Sequence, residues 1–229
     1  MALKQLTLRR DDMCAHCSTP VSEGSTAWWD GPSRSVFCAA CEPSQRLRPL
    51  PRSTSQRAQR AVGERRLGRR LDMEVTEGAA ILHNRKVPGT RGRADHVVIA
   101  PTGIWLIDAK HFTGRVRRRN VGGWISSGER LFIGNHNRTR LVEAMAWQVV
   151  AMRAQLDQIG LGEVPVHPVL CLTATEWGRF ARPFGVDGVL ITWPAALVMA
   201  ISHDDVASSI DDATVELLNR HLSSNLPVA

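Results

Sequence analysis

Asp95, Asp108 and Lys110 are the residues whose types and spacing most directly suggest chemistry in this chain. They bracket the segment Asp95-His-Val-Val-Ile-Ala-Pro-Thr-Gly-Ile-Trp-Leu-Ile-Asp-Ala-Lys110. Within it, Ala100-Pro-Thr-Gly103 carries Pro at its second position and Gly at its fourth, which favours a type I turn. If those four residues close a hairpin, Ile99 pairs with Ile104, Val97 with Leu106 and Asp95 with Asp108. Side chains alternate along a strand, so Asp95, Asp108 and Lys110 then share one face at the ends remote from the turn. Two carboxylates side by side repel each other and are costly without a cation. A hard divalent ion, Mg²⁺ above all, resolves that conflict with oxygen ligands. A lysine beside it can hold or deprotonate a water and balance charge on a pentavalent phosphorus. On most strands a D-x-K string is only surface. Here the run Gly103-Ile-Trp-Leu-Ile107 is strongly apolar, so a core strand ends in charge.

Two helices must bring further polar groups to such a hairpin. Glu64 lies three residues before Leu67 and seven before Leu71, on their inward stripe. Gln148 interrupts a stripe of Leu141, Met145, Met152 and Ile159. An acid on an inward stripe is expensive unless it meets a partner. Either residue alone reads as a stripe-edge side chain reaching water; both together, beside a two-aspartate hairpin, point to a shared polar site.

The remaining elements follow from periodicity and turn residues. Gln56 to about Leu71 reads as a helix with Ser53 or Ser55 as N-cap, and Ala80–His83, Asp95–Ala100 and Ile104–Lys110 read as strands. Gly114–Ile133 reads as a meander with turns at Gly122-Gly123 and Ser127-Gly128. A long amphipathic helix spans about Arg140–Ile159 and stops at Gly160. Strands at Val166–Thr173 and Val189–Trp193 and helices at Pro194–Ile201 and Asp211–Ser223 complete an α/β sandwich around a mixed sheet.

Four of the five cysteines occur as Cys14-Ala-His-Cys17 and Cys38-Ala-Ala-Cys41, two C-x2-C knuckles 20 residues apart. The intervening segment has the length of a short hairpin, and the spacing suits a closed tetrahedral Zn²⁺ site with four thiolate ligands. Such a metal is structural, replacing the core that about 40 residues cannot build. His16 is then a spectator, and the Trp28-Trp29 pair is either packing or a contact surface. Cys171, in Val-Leu-Cys-Leu-Thr173, reads as a small buried apolar residue on a strand. The organisation expected is a zinc ribbon over residues 1–45, a Pro/Ser/Arg-rich linker over 46–55 and a second domain over 56–229.

The formal charge of +7 is concentrated in residues 46–93, which hold 13 basic and 4 acidic side chains, whereas residues 1–45 are close to neutral. A basic segment beside the hairpin suits a polyphosphate partner; a solvated arginine-rich helix is the plainer alternative. The start, MALKQLTLRRDDM, offers no apolar stretch for a signal peptide. The longest uncharged apolar run, Val189–Ile201, is broken by Pro194 and too short for a bilayer. A cytoplasmic protein without membrane contact is the expectation.

From Gly63-Glu64 through Gln148 the chain resembles the NERD (nuclease-related) domain, a branch of the PD-(D/E)xK restriction-endonuclease-like superfamily. The resemblance rests on Gly63-Glu-Arg-Arg-Leu-Gly-Arg-Arg-Leu71, Val87-Pro-Gly-Thr-Arg-Gly-Arg-Ala-Asp-His96, Pro101-Thr-Gly-Ile-Trp-Leu-Ile-Asp-Ala-Lys110 with Gly114, and Trp147-Gln148. It implies a restriction-endonuclease-like mixed sheet flanked by helices. It further implies that Glu64, Asp95, Asp108 and Lys110 are the metal-binding and catalytic positions, with Gln148 as an accessory. Asp108 stands where many members carry Glu before x-Lys, and both satisfy the motif. The implied activity is DNA hydrolysis with Mg²⁺ or Mn²⁺. Arg91 and Arg93, and the helix-face residues Arg65, Arg66, Arg69 and Arg70, would contact flanking phosphates, which orients a duplex without reading its sequence. The zinc ribbon would aid binding of DNA or of a protein partner. The competing reading is a non-catalytic nucleic-acid or protein adaptor on the same fold. Such an adaptor tolerates loss of a site residue, yet all four are present here.

Overall fold

A computed structural model of the chain describes residues 4–14, 19–30, 35–41, 52–75, 78–89, 92–120, 128–202 and 210–229. The chain divides into two compact units, Met1–Ala58 and Gln59–Ala229.

In the first unit, β1 (Lys4–Thr7), β2 (Asp12–Met13), β3 (Pro20–Val21), β4 (Thr26–Asp30) and β5 (Ser35–Cys38) precede a single 3-10 turn at Ala39–Cys41. β4 sits between β1 and β5 in an antiparallel sheet, and β2 pairs with β3. The β4–β5 hairpin expected between the cysteine knuckles is present, with Trp28 opposite Phe37 and Trp29 opposite Val36. Leu8, Cys14, Val21, Ala27 and Val36 form the small core, and Trp29 packs against it. Cys17 and His16 lie outside the described residues.

The second unit contains α1 (Arg52–Glu74), which starts before the unit boundary, then β6 (Ala80–Lys86), β7 (Arg93–Ala100), β8 (Gly103–Lys110), β9 (Val116–Asn120), β10 (Glu129–Ile133) and β11 (His136–Asn137). α2 (Thr139–Asp157), β12 (Val166–Leu172), β13 (Phe184–Val186), β14 (Val189–Thr192), α3 (Pro194–Ser202) and α4 (Asp212–Asn225) follow. The six-stranded sheet runs β13-β14-β12-β8-β7-β6. β7 runs antiparallel to both β6 and β8, β12 lies parallel to β8, and β14 lies parallel to β12, so the sheet is mixed. One face packs Val98, Trp105, Ile107 and Val169 against Leu67 and Leu71 of α1 and Leu197 of α3. The other packs Val97, Ile99, Leu106 and Leu170 against Met145 and Met152 of α2 and Leu218 of α4. The central strands are apolar on both faces, which is why β7 and β8 read as continuous hydrophobic runs. β9, β10 and β11 form a separate three-stranded antiparallel sheet. The turns expected at Gly122-Gly123 and Ser127 fall outside the described residues.

Two boundaries differ from the sequence reading. α1 is helical from Arg52, inside the segment read as linker, and continues to Glu74. The stretch Arg52–Arg60 has almost no apolar residues, so no hydrophobic period marks its helix. Both serines named as N-caps are therefore inside the helix. β13 was not anticipated, although Asp187-Gly188 before β14 carries the two left-handed φ values (46° and 78°) of a tight hairpin turn. Cys171 is fully buried on β12, and burial pushes its thiol well up, so it is a core residue as its sequence suggests. Among the described residues no helix is long and apolar enough to cross a membrane.

Candidate active site

The hairpin adopts the register set by its turn. Ile99 faces Ile104, Val97 faces Leu106 and His96 faces Ile107; the ladder ends there, with Asp95 and Asp108 the next residue on each strand. Gly103 makes the close turn possible: its φ is +118°, and a Cβ there would lie 2.6 Å from the Pro165 carbonyl oxygen. Alternation continues from Ile104 and Leu106 to Asp108 and Lys110, on the sheet face that α2 and α4 cover.

Both aspartates are nearly sealed from solvent, at 4% and 7% exposure. Asp95 Oδ2 accepts a hydrogen bond from the Ala109 amide at 2.8 Å, which ties the acid of β7 to the backbone of β8. Asp108 lies close enough to Asp95 to feel its charge, and the Lys110 ammonium donates to Asp108 Oδ1. Burial pushes the Asp108 carboxyl up to about 7, and the Asp95 charge adds to that, although Lys110 pulls the other way. Desolvation thus outweighs the ion pair.

Glu64 reaches the acids from α1. The helix approaches closely because Gly63 has no side chain; a Cβ there would sit 2.7 Å from the Thr173 hydroxyl at the end of β12. Arg93 Nη2 donates to Glu64 Oε2 and to Asp95 Oδ1, both at 2.8 Å. Burial and then the Asp95 charge raise the Glu64 pKa, while Arg93 opposes them. The sequence places Arg93 among arginines expected to contact flanking phosphates; in the fold its guanidinium lies between two acids of the site. Arg91 lies outside the described residues.

Gln148 occupies the buried stripe of α2 with Val142, Met145 and Met152. Its Oε1 is buried and has no hydrogen-bond partner among the described residues. The structure therefore assembles Glu64, Asp95, Asp108 and Lys110 directly, while no hydrogen bond among the described residues joins Gln148 to them. Beside Glu64 and Asp95 opens a cleft of about 330 Å³ lined also by Arg65, Arg69, His83 and His96. Arg66 is exposed, and Arg70 pairs with Glu74 at 2.8 Å. The cleft includes a contact that the sequence did not signal. His83 Nδ1 meets His96 Nδ1 at 2.7 Å, and His83 Nε2 meets Asp72 at 2.9 Å. Burial and then His83 hold His96 down to about 4, so it is neutral at ordinary pH.

The donor set fits a hard divalent cation. Three carboxylates converge, two of them buried, and burial followed by the Asp95 charge raises the pKa of both Glu64 and Asp108. A pH dependence follows. The folded Asp108 carboxyl titrates near 7 and its unfolded counterpart near 3.8, so the folded state holds the extra proton between these values. Without divalent ions, this group's contribution to stability is greatest below about pH 4 and is lost as pH rises through about 7. Thermal unfolding in Mg²⁺-free buffer should show the midpoint falling from about pH 5 to about pH 8, and Asp108→Asn should flatten that slope. Arg93→Ala is expected to destabilise the ion-free protein by about 1–2 kcal/mol, since Asp95 loses its cation while the half-exposed arginine moderates the loss. Added Mg²⁺ should recover most of it in the same unfolding assay, and an unchanged midpoint without Mg²⁺ would refute the effect.

In the first unit, Cys14, Cys38 and Cys41 offer sulfur atoms within 4.8 Å of one another and could hold a metal ion. Cys14 is buried at 1% exposure, behind β2, while Cys38 ends β5 and Cys41 ends the 3-10 turn.

A mixed sheet flanked by helices, with an antiparallel hairpin presenting two acids and a lysine, is a nuclease-like arrangement. Residues 59–173, half of the chain, match the family model of the nuclease-related domain, NERD, and the chain belongs to that family. No curated protein and no solved structure matches it.

Proposed function

We propose that this chain is a divalent-metal-dependent nuclease that hydrolyses phosphodiester bonds of DNA. The observation that carries the reading is the buried Asp95–Asp108 pair with Lys110 on the same hairpin, in a chain of the nuclease-related family. Asp95, Asp108 and Glu64 would hold Mg²⁺ or Mn²⁺. When bound, that ion would polarise a phosphoryl oxygen and acidify water. The chain's own groups have separate roles. Asp95, fixed to the Ala109 amide, and Asp108 set the distance between the two strands' oxygen donors. The Lys110 ammonium orients the attacking water. It also neutralises charge gathering on phosphorus as the new P–O bond forms and the ester oxygen leaves. Arg65 and Arg69, on the cleft beside Glu64, would take phosphates of the same strand. Arg93 would be released from Glu64 and Asp95 when the cation takes its place, and could then serve a phosphate as well. Gln148 would be an accessory acting from α2.

Zinc held by Cys14, Cys17, Cys38 and Cys41 would make residues 1–45 a structural ribbon that aids DNA or partner binding. The experiment for the activity is incubation of the purified chain with linear, circular and single-stranded DNA in Mg²⁺ or Mn²⁺. Nicking or degradation that a chelator stops is expected. DNA binding without scission in either ion would sink the catalytic reading in favour of an adaptor.

A further inference from the structure

The β9–β10 ribbon carries a second basic surface that the site itself does not use. Arg117, Arg118 and Arg119 follow one another on β9, and alternation separates them. Val116, Leu131 and Ile133 are buried and define the inner face. Arg118 belongs with them: it pairs with Glu129 at 3.1 Å, lies over the Phe184 ring and reaches the Gly185 carbonyl. The outer face therefore presents Arg117 and Arg119 from β9, with Arg130 and Phe132 from β10. Arg119 stands directly opposite Arg130 in the ladder, and both are exposed. Like charges directly across a sheet are destabilising. Glu129, the one acid on the described residues of these two strands, is on the inner face. The outer face thus has an electrostatic cost that a polyanion would relieve.

Its position favours DNA lying across the site. Arg119 lies nine positions after Lys110, the last residue of β8, so the chain between them spans at most about 30 Å, roughly the length of nine base-pair steps. That connection is pinned, because Glu176 N bonds to the Gly114 carbonyl and Val116 N to the Glu176 carbonyl. The surface suits phosphates better than bases. Phe132 is half-buried and the Arg119 guanidinium lies over its ring at 4.7 Å, so the ring is not a free stacking platform.

We propose that the outer face of the β9–β10 ribbon, through Arg119 and Arg130 with Arg117 beside them, binds the sugar–phosphate backbone of a duplex DNA arm flanking the scissile bond. This rests on the nuclease reading for its substrate, but binding can be measured apart from cleavage. The full chain with Ca²⁺ in place of Mg²⁺ is titrated with a duplex of about 24 base pairs and with the matching single strand, over a salt series. Arg119→Ser/Arg130→Ser is compared with wild type and with Arg220→Ser, an exposed arginine on α4. The double variant should bind the duplex about tenfold more weakly, with a salt dependence shallower by about two, while Arg220→Ser matches wild type. Equal affinity and slope in the double variant overturns the proposal. So does an equal loss in Arg220→Ser, a larger loss on single strand than on duplex, or a wild type that binds no duplex. Scission in Mg²⁺ is scored separately. Intact cleavage with unchanged binding sinks the ribbon surface alone. Weakened duplex binding in a chain that never cuts keeps the surface and sinks the nuclease.

Discussion

Asp108→Asn is expected to abolish DNA cleavage, by about a thousandfold or more, while leaving the ion-free protein as stable as wild type or more so. The two effects have one origin. Asp108 is almost wholly buried, and its carboxyl is pushed up to about 7 because burial outweighs the attraction of Lys110. An amide of the same shape removes that penalty, and it also removes the negative oxygen that a cation requires. A site whose loss raises stability is one that stores electrostatic cost for function. Lys110→Ala should lower cleavage by about a hundredfold or more, since it deletes the donor that faces the phosphoryl group. Unlike the asparagine variant, it should make the ion-free protein less stable above about pH 7, where wild-type Asp108 ionises against Lys110 and the variant's carboxyl has no cation to offset its charge. Cleavage rates with Mg²⁺ and unfolding midpoints without it separate these cases. An Asp108→Asn protein that cuts normally, or that unfolds many degrees early, contradicts the account.

Cys14→Ser should cost the first unit its fold and the zinc proposed to hold it, while residues 59–229 keep their own unfolding transition. Cys14 is both the most buried of the three sulfur donors and part of the unit's small core. Units of this size rarely hold together on apolar burial alone, and structural zinc binding is itself folding free energy. Elemental analysis of wild type should give about one zinc per chain, and the variant about none. The described residues bring three of the four cysteines of the two knuckles together, so the fourth ligand is expected from Cys17. Wild type free of zinc, with its thiols titratable, would overturn the ribbon. Collapse of the second unit in the variant would show that the two units do not fold independently.

Much of the site was legible because one turn fixes it. Pro101 and Gly103 set the hairpin loop, the period of two does the rest, and the observed register follows pair by pair up to His96 and Ile107. Glu64 was legible as an acid on an inward stripe, since Leu67 and Leu71 mark that stripe and both are buried. The position of Arg93 was not. In sequence it is one of several arginines near the hairpin, and only the approach of α1 at Gly63 sets Glu64 where one guanidinium can span two acids. The His83–His96 contact depends on the β6–β7 register, which no turn residue specifies as firmly as Pro101 does for β7–β8. Helical polar stretches such as Arg52–Arg60 leave no apolar period to read. The strand β13 has only three residues, too few for an alternation to show, although Asp187-Gly188 marks the turn that follows it.

The most direct measurement is Mn²⁺ binding by the zinc-loaded chain at about pH 8, followed by electron paramagnetic resonance. Wild type should take up Mn²⁺, Asp95→Asn and Asp108→Asn should lose that uptake, and wild-type affinity should fall as pH drops through about 7. Wild type that binds no Mn²⁺, or variants that bind it as wild type does, would show that the buried acids are not a metal site.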